Sequence, residues 1–378
     1  MQNYDLLVVH DVSAIQFLAK YWDRLRASEF GYVPDFDDVL DGLARARKFV
    51  ALIEMRASEP SCAAFFIEET KSNHFMVGKR SLASVEVERL ALVGGVVLGE
   101  LRPETWLRFL RELDDFSRYD FIYLGEVLVD SDLSRAIAEL PMRYRVSRPS
   151  RKDQIRWFIE LPEKFDDYLA SIGSQSRQVV RRKIRKFEKG EGCSFAVFSD
   201  EHKIDEFLST AEEISQRTYQ WGLGQGLQND TVTRGEYVRM ARAGKLRCYI
   251  MRIEGKPCAF IRGTLVNGVY NFETPGFLPE YAKWSPGTVL LLLAIKDLIE
   301  STKCRVFDFG GGGDDVGYKA KFGNVSMPSR QLLISRRLSL RPALISFAQE
   351  MLIGTKNLAD RLLGSSEIRR RIRRALRI

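Results

Sequence analysis

Three β-rich runs follow one another in the second half of the chain and restrict its possible folds more than any other feature. The runs lie at residues 246–253, 257–266 and 269–273, and the pairs Glu254-Gly255 and Asn267-Gly268 separate them. An Asn-Gly pair between β-rich runs is among the strongest local signals for a hairpin. The sequence therefore predicts an antiparallel meander of three strands.

The segments on both sides of this meander carry helical and strand patterns. Ahead of it the sequence predicts strands at 155–161 and 194–198 and helices at 165–172, 175–189 and 204–219. After it come a helix that ends at 301, a strand at 305–309, a short helix at 316–322 and a strand at 330–335. This order predicts an α+β domain with a mixed sheet, within the α/β class.

The length of 378 residues indicates two domains, since one domain commonly has about 100–200 residues. The first half predicts helices at 14–25, 39–49 and 103–113 and strands at 49–55, 63–67 and 74–77. Residues 141–156 are basic, contain Pro149 and lack apolar periodicity, which indicates a boundary. We predict domains at 1–145 and 155–336, followed by basic amphipathic helices at 337–378.

Composition excludes several classes of protein. Hydrophobic residues make up 45% and charged residues 29% of the chain, as in ordinary globular proteins and unlike disordered ones. The longest clean apolar run, 289–295, is far shorter than the ~20 residues of a membrane span. The amino terminus lacks the basic segment of a secretory signal, so we expect a cytoplasmic protein. Five scattered cysteines and three histidines without ligand-like spacing predict no metal site.

The net charge of +8 is concentrated in three basic segments. They are 143–156, 177–189 and 366–378, and the rest of the chain is mildly acidic. Such patches indicate anionic partners, although each is also compatible with a solvated helix face or a linker. In the second segment Arg177, Arg181 and Arg185 are candidates for binding a phosphate-bearing substrate.

The last basic segment has the pattern of an amphipathic helix. Ile368, Ile372 and Leu376 recur at four-residue spacing, and six arginines cover the remaining surface. A helix of this kind can lie on an anionic membrane surface. The competing interpretation is a frayed, solvated chain end.

The turn that opens the helix after the meander predicts a phosphate site. Ser285 suits the N-cap position and Pro286 the first helical position, while Gly287 leaves room for a ligand beside the free N–H groups of Gly287 and Thr288. Lys283 adds positive charge. The local pattern is also that of a well-capped core helix.

Four consecutive glycines, Gly310 to Gly313, follow the strand that ends near Asp308. Glycine loses the most backbone entropy on folding, so four in a row indicate backbone packed against a ligand or held at positive φ. Gly311 is therefore a candidate substrate contact. A flexible surface loop is the alternative, but the nearby acids and the pair Tyr318-Lys319 favour a site.

Residues 161–322, with the arginine-rich helix, the meander, Ser285-Pro286-Gly287 and the motif around Tyr318-Lys319, resemble the CelD-type (BioF-associated) branch of the GNAT acyltransferases, which is related to the Fem aminoacyl transferases. The resemblance implies tandem GNAT-like domains, of which the second is better preserved. It also implies transfer of an acyl group from acetyl-CoA or another acyl-CoA to an amine or hydroxyl of a small-molecule or glycan-precursor acceptor, in exopolysaccharide or cell-envelope metabolism. The chain departs from the usual CoA loop at Ala282 and Ser285.

The same resemblance implies roles for individual residues. The CoA pyrophosphate would lie on residues 285–288, Tyr318 would protonate the departing thiolate, and Lys319 would stabilise charge at the reacting centre. A general base is less defined. Glu273 at the end of the meander is preferred and Asp308 is the other candidate, and each is also compatible with a structural salt bridge.

Two alternative functions remain open at this point. One is Fem-like aminoacyl transfer from tRNA, which the basic helix would suit, although the long coiled-coil insertion common in that branch is absent. The other is a non-catalytic accessory protein that contacts the inner face of the membrane through its basic tail.

Overall fold

The structure, a computed structural model, describes residues 4–26, 33–77, 80–95, 97–114, 119–149, 153–218, 221, 226–311, 317–348 and 351. Two compact units make up the chain. The first combines Met1–Glu29 and Val33–Asp153 with Pro328–Ile378, and the second is built on Gln154–Met327.

The described part of the first unit has a sheet of six strands, to which two short strands are added, with helices on both faces. Its strands are β1 (Tyr4–Val9), β2 (Phe49–Arg56), β3 (Glu59–Val77), β4 (Arg80–Leu92), β5 (Leu98–Gly99), β6 (Phe121–Leu128), β7 (Tyr144–Ser147) and β14 (Val325–Arg336). Its helices are α1 (Trp22–Arg26), α2 (Phe36–Arg45), α3 (Pro103–Asp114) and α4 (Asp132–Ala138), with 3₁₀ segments at Val12–Tyr21 and Val93–Gly95.

The strand order in the first unit is β1-β2-β3-β4-β6-β14, with β5 on β3 and β7 on β14. Only the pair β4–β6 is parallel. Both faces are buried, since α3 and α4 cover one side and α1, α2 and the first 3₁₀ segment cover the other. This explains the almost continuous burial along β2, which has no solvent face.

The described residues of the second unit form six strands and six helices. Its strands are β8 (Gln154–Glu160), β9 (Ser194–Phe198), β10 (Cys248–Ile253), β11 (Lys256–Val266), β12 (Val269–Phe277) and β13 (Val306–Asp308). Its helices are α5 (Phe165–Ser171), α6 (Ser174–Glu188), α7 (Ile204–Gln216), α8 (Thr231–Arg242), α9 (Pro286–Ser301) and α10 (Tyr318–Phe322), with 3₁₀ segments at Glu201–Lys203 and Pro279–Trp284.

The second sheet repeats the plan of the first. Its order is β9-β10-β11-β12-β13-β8: four antiparallel strands, a fifth parallel to the fourth, and a sixth antiparallel to the fifth. In each unit a helix, α3 or α9, connects the two parallel strands. The apolar helix α9 is buried along most of its length against the second sheet.

The predicted mixed α/β class and the meander are confirmed. β10, β11 and β12 pair antiparallel, and both turns have positive φ at their two central residues: 53° and 74° at Glu254-Gly255, 55° and 79° at Asn267-Gly268. This is the type I′ geometry that matches strand twist. Two differences concern strand length, since β12 runs on to Phe277 and the predicted strands at 63–67 and 74–77 are one strand, β3.

The C-terminal boundary differs from the predicted one. The prediction assigned 155–336 to one domain, but the chain from Pro328 onward groups with the first unit because β14 pairs with β6 and β7 there. Leu332 and Ile334 of β14 are buried in the core of that unit. Of the predicted helices at 337–378, residues 340–348 and 351 are helical, and 352–378 lie outside the described residues.

The position of β14 predicts different outcomes for two truncations. A chain ending at Met327 lacks the strand that covers β6, so its first unit should fail to fold cooperatively. A chain ending at Met351 keeps β14 and should unfold like the complete protein. Thermal unfolding followed by circular dichroism measures both, and equal transitions in the two truncations would contradict the assignment of β14 to the first unit.

Candidate active site

A cleft opens in the second sheet where the short strand β13 ends and its parallel neighbour β12 continues. Their pairing covers only three positions, from Val269 with Val306 to Asn271 with Asp308. The remaining six residues of β12, Phe272–Phe277, run past this register. Pro275 lies in this stretch, and a proline is tolerated in a strand where its nitrogen has no donor role to fill.

A cavity of about 700 Å³ lies beside the free stretch of β12. Its walls are mostly apolar and aromatic, with a few polar groups from β12, α9 and α10. The lining residues that matter for the chemistry are Glu273, Ser285, Gly287, Thr288, Tyr318 and Phe322. Five of the predicted site residues thus border one cavity: Glu273, Ser285, Gly287, Thr288 and Tyr318.

In the first unit the parallel pair ends differently, because β4 stops and β6 continues. The pairing of β4 with β6 extends to Ala91, and only Leu92 of β4 runs past it. In the described part of the first unit, β4 thus has no free stretch comparable with Phe272–Phe277. The cleft is a feature of the second unit, which agrees with its being the better preserved copy.

The first turn of α9 forms one wall of the cavity. Pro286 occupies the first helical position, as predicted, and the N–H groups of Gly287 and Thr288 have no intrahelical acceptor at this end of a helix. Such a helix start favours an anion. A Cβ added at Gly287 would lie 3.2 Å from Cδ1 of Phe277, so glycine keeps this wall open.

The predicted capping role of Ser285 is wrong. Its backbone is left-handed, with φ 51° and ψ 53°, and its side chain makes no capping hydrogen bond. A cap requires an extended backbone that points the hydroxyl back at the first turn. Only the Ser285 carbonyl serves the helix, by accepting from the Val289 N–H at 3.0 Å.

Two lysines lie at the chain segment that leads into α9. Lys283 is exposed, and its carbonyl accepts a hydrogen bond of 3.3 Å from Nζ of Lys186. The same Nζ lies 4.4 Å from the ring centroid of Trp284. Sequence analysis missed Lys186 because only the tertiary fold brings α6 to this turn.

Glu273 projects from an irregularity in β12. Phe272 pairs with Gly263 and Thr274 with Arg262, so Glu273 is the extra residue of a bulge. Arg262 Nε lies 2.6 Å from its carboxylate, and Thr264 and Asn271 donate hydrogen bonds of 3.1 and 3.3 Å. The side chain keeps 21% of its surface exposed, toward the cavity that it lines.

Burial raises the pKa of Glu273, and this effect exceeds the opposing one of Arg262 and the two hydrogen bonds. A carboxylate with a raised pKa is a stronger base than an ordinary glutamate. Arg262 is held in turn by Glu236, 3.4 Å away on α8, and stacks 4.8 Å from the ring centroid of Tyr237. Sequence analysis did not single out Arg262. The signal that identifies it is a lone charged residue in the otherwise apolar predicted strand at 257–266, because a buried charge needs a partner.

Asp308 is placed in the sheet instead of the cavity. It is fully buried, and Arg156 of β8 donates to both carboxylate oxygens, at 3.3 and 2.6 Å. The Gly310 N–H donates to the same carboxylate at 2.8 Å. These contacts give Asp308 the structural role that sequence analysis left open, so Glu273 is the better placed base.

Tyr318 and Lys319 have different surroundings although they are adjacent. Tyr318 lines the cavity, is 47% exposed and meets Phe309 edge to face at 6.0 Å. Lys319 Nζ donates to the carbonyl of Gly310 at 3.2 Å and to that of Gly311. Lys319 therefore fastens the glycine-rich loop after β13, where Gly310 has a φ of 65°. Residues 312–316 lie outside the described part.

The arginines predicted to bind substrate are not among the residues that line the cavity. Arg177 donates to the carbonyl of Ala170, and Arg181 pairs with Asp166 at 3.1 Å. Arg185 is exposed on the same helix. Gly311 was also predicted to contact substrate, but its carbonyl accepts a hydrogen bond from Lys319.

Within the described ranges, no group of three or more His, Cys, Asp and Glu side chains is arranged to hold a metal ion. Over the same residues, no helix combines the length and apolar character needed to cross a membrane.

Comparisons with known proteins bear on the fold of the chain. Residues 174–320 match the family described as acetyltransferase (GNAT) domain. The crystal structure of FemX is similar over 90% of this chain and 100% of its own, with a TM-score of 0.60 and 11% identity. A tandem GNAT protein from the clavulanic acid biosynthesis pathway is similar over 88% and 98%, with a TM-score of 0.53 and 13% identity.

No curated protein matches the sequence. The fold is similar to that of FemX and of the tandem GNAT protein, and the segment that matches the GNAT domain lies within the second unit.

The assignment of Asp308 to the sheet predicts a stability effect. Arg156→Met leaves a buried carboxylate without its cation and should lower the free energy of unfolding by about 3–5 kcal/mol. Adding Asp308→Leu removes that unpaired charge and should restore part of the loss. Urea denaturation of both variants measures this, and a double variant no more stable than the single one would show that the pair is not coupled.

Proposed function

We propose that this protein transfers an acyl group, acetyl in the simplest case, from acyl-CoA to an amine or hydroxyl acceptor. One observation carries the proposal: the free stretch of β12, the open N-terminus of α9 and the carboxylate of Glu273 all border one cavity. An elongated anionic thioester and a nucleophile that must lose a proton both fit this combination.

The donor would bind along β12 and α9. Its pyrophosphate would accept hydrogen bonds from the N–H groups of Gly287 and Thr288, with Lys283 and Lys186 supplying positive charge nearby. Its pantetheine arm would lie against the free edge of β12. The N–H and C=O groups of this edge would hydrogen-bond to the arm, as an exposed sheet edge does with an added strand. The apolar walls would exclude water from the thioester.

Two side chains would act on the reacting groups, and a third would position a loop. Glu273 would remove a proton from the acceptor, because its carboxylate faces the cavity and burial strengthens it as a base. Tyr318 would donate a proton to the departing thiolate. Lys319 would hold the loop of Gly310 and Gly311 in place, and this positioning role replaces the direct one predicted for it.

The acceptor and the cellular setting rest on the family resemblance. We propose a glycan precursor or another small molecule as acceptor, a role in exopolysaccharide or cell-envelope biosynthesis, and a cytoplasmic location in keeping with a CoA donor. The test is release of free CoA thiol from a panel of acyl-CoA donors with amino-sugar acceptors. Transfer from aminoacyl-tRNA in place of acyl-CoA would favour the Fem-like alternative.

A charge placed at the start of α9 should prevent donor binding. Gly287→Glu adds bulk beside Phe277 and a negative charge where the pyrophosphate would lie, so calorimetry should detect no CoA binding. Gly235→Glu is the matched control, since a side chain at this exposed position of α8 meets no atom within 4 Å. Undiminished CoA affinity in Gly287→Glu would remove α9 from the donor site.

The pH dependence of turnover should identify the base. The value of kcat/KM should fall as pH decreases through the pKa of Glu273, above the range of an ordinary glutamate, because only the carboxylate accepts a proton. Glu273→Gln should abolish this acid limb and lower turnover by about 10²–10⁴.

A second variant separates Glu273 from the ionisation of the acceptor. Arg262→Gln removes the cation that favours the Glu273 carboxylate, so the acid limb should move to higher pH. Arg252→Gln removes a comparable ion pair with Glu206 and should leave the limb in place. A limb that stays fixed in Arg262→Gln would belong to another group.

A further inference from the structure

The helix after β14 has an apolar stripe that faces solvent. Leu340, Leu344, Phe347 and Met351 recur at spacings of four, three and four residues, which places them on one side of an α-helix. Their exposed fractions are 80%, 68%, 61% and 54%, and Leu338 in the preceding turn is 94% exposed. This is the largest run of exposed apolar side chains among the described residues.

The opposite side of the same helix explains why the stripe faces outward. Pro342, Ile345 and Ser346 are buried, and Ile345 packs against β4, β6 and β14 through Val87, Phe121 and Leu333. The buried side of the helix alone therefore packs it against the core of the first unit, and the apolar stripe takes no part in this packing. Burial of Leu340, Leu344 and Phe347 requires a second surface, since a helix apolar on both sides is ordinarily covered on both.

The charge of the adjoining chain identifies that surface. Arg336 and Arg337 are exposed just before the helix. The sequence after it, residues 352–378, contains eight basic and two acidic residues and lies outside the described part. Positive charge on both sides of an apolar stripe matches a layer that is anionic at its surface and apolar beneath, which is an anionic phospholipid membrane.

We propose that the helix at 340–348 docks on an anionic membrane surface, with Leu340, Leu344, Phe347 and Met351 inserted among the lipids and the flanking basic residues on the head groups. The proposal is independent of the acyl-transfer reaction, because the stripe belongs to the first unit and the candidate active site to the second. A second copy of the chain, or residues 352–378 folded over the stripe, are the other occupants that the experiment distinguishes.

The experiment is co-sedimentation of the complete chain with phosphatidylcholine vesicles that contain or lack phosphatidylglycerol, at low salt. The complete chain should bind only the anionic vesicles. Leu344→Glu with Phe347→Glu should weaken this binding by about tenfold or more, since it removes inserted apolar area and adds like charge. Replacement of Arg370, Arg371 and Arg374 by Gln should weaken it as well.

Val232→Glu is the matched control, because Val232 is 72% exposed on α8 of the second unit and should not contact the membrane. All substituted positions of known exposure are on the surface, and unchanged thermal unfolding verifies that each variant is folded. Acyl transfer to a soluble acceptor should be equal in the stripe variant and the complete chain, so a failure here is distinct from a failure of the proposed reaction.

Three results would overturn the proposal. The first is equal vesicle binding by the stripe variant and the complete chain. The second is a dimer of the complete chain that becomes a monomer in the stripe variant without any vesicle binding, which would assign the stripe to a second copy. The third is vesicle binding only after removal of residues 352–378, which would show that this segment covers the stripe.

Discussion

The early end of pairing between β12 and β13 is the constraint on which the candidate site depends. A parallel pair that continued to Phe277 would satisfy the backbone groups of β12 and leave no cleft between the strands. Because pairing stops at Asn271, the following residues are free to face a ligand, and the bulge at Glu273 turns one carboxylate toward the same space. Helix α9 then begins at the open end.

Two buried ion pairs hold this arrangement from opposite sides. Arg156 and Asp308 join β8 to the last residue of β13, where the strands are still paired. Arg262 and Glu273 lie where β12 continues beyond the end of β13. The first pair is almost fully buried, whereas both members of the second are partly exposed and Glu273 lines the cavity. The same kind of interaction thus gives a structural role to one carboxylate and a candidate chemical role to the other.

The sheets of the two units follow one plan, yet among the described residues the cleft beside the parallel pair is found in the second. In the first unit the pairing with β6 extends almost to the last residue of β4. Strand β14, which follows the second unit in the sequence, pairs with β6 on its other side. In the described part of the first unit, β4 therefore lacks a stretch comparable with Phe272–Phe277 of β12. This division is consistent with one copy that supports the fold and one that carries the chemistry.

Local sequence signals determined the meander, its two turns, the position of α9 and the motif residues near the site. They did so because turn geometry, helix periodicity and strand alternation depend on neighbours within a few residues. The family resemblance that these motifs carry placed Glu273, Gly287 and Tyr318 in one functional set. The sequence left the choice of general base between Glu273 and Asp308 open.

Only the tertiary structure decided that choice and the partners of the charged residues. Arg156 lies 152 positions from Asp308, and no local pattern relates them. The same holds for Lys186 beside Lys283, for Lys319 on the carbonyls of its loop, and for the return of β14 to the first sheet. The left-handed backbone of Ser285 likewise overrode a favourable capping sequence. Long-range pairing depends on which surfaces meet after folding, and a single sequence carries that information only through the fold.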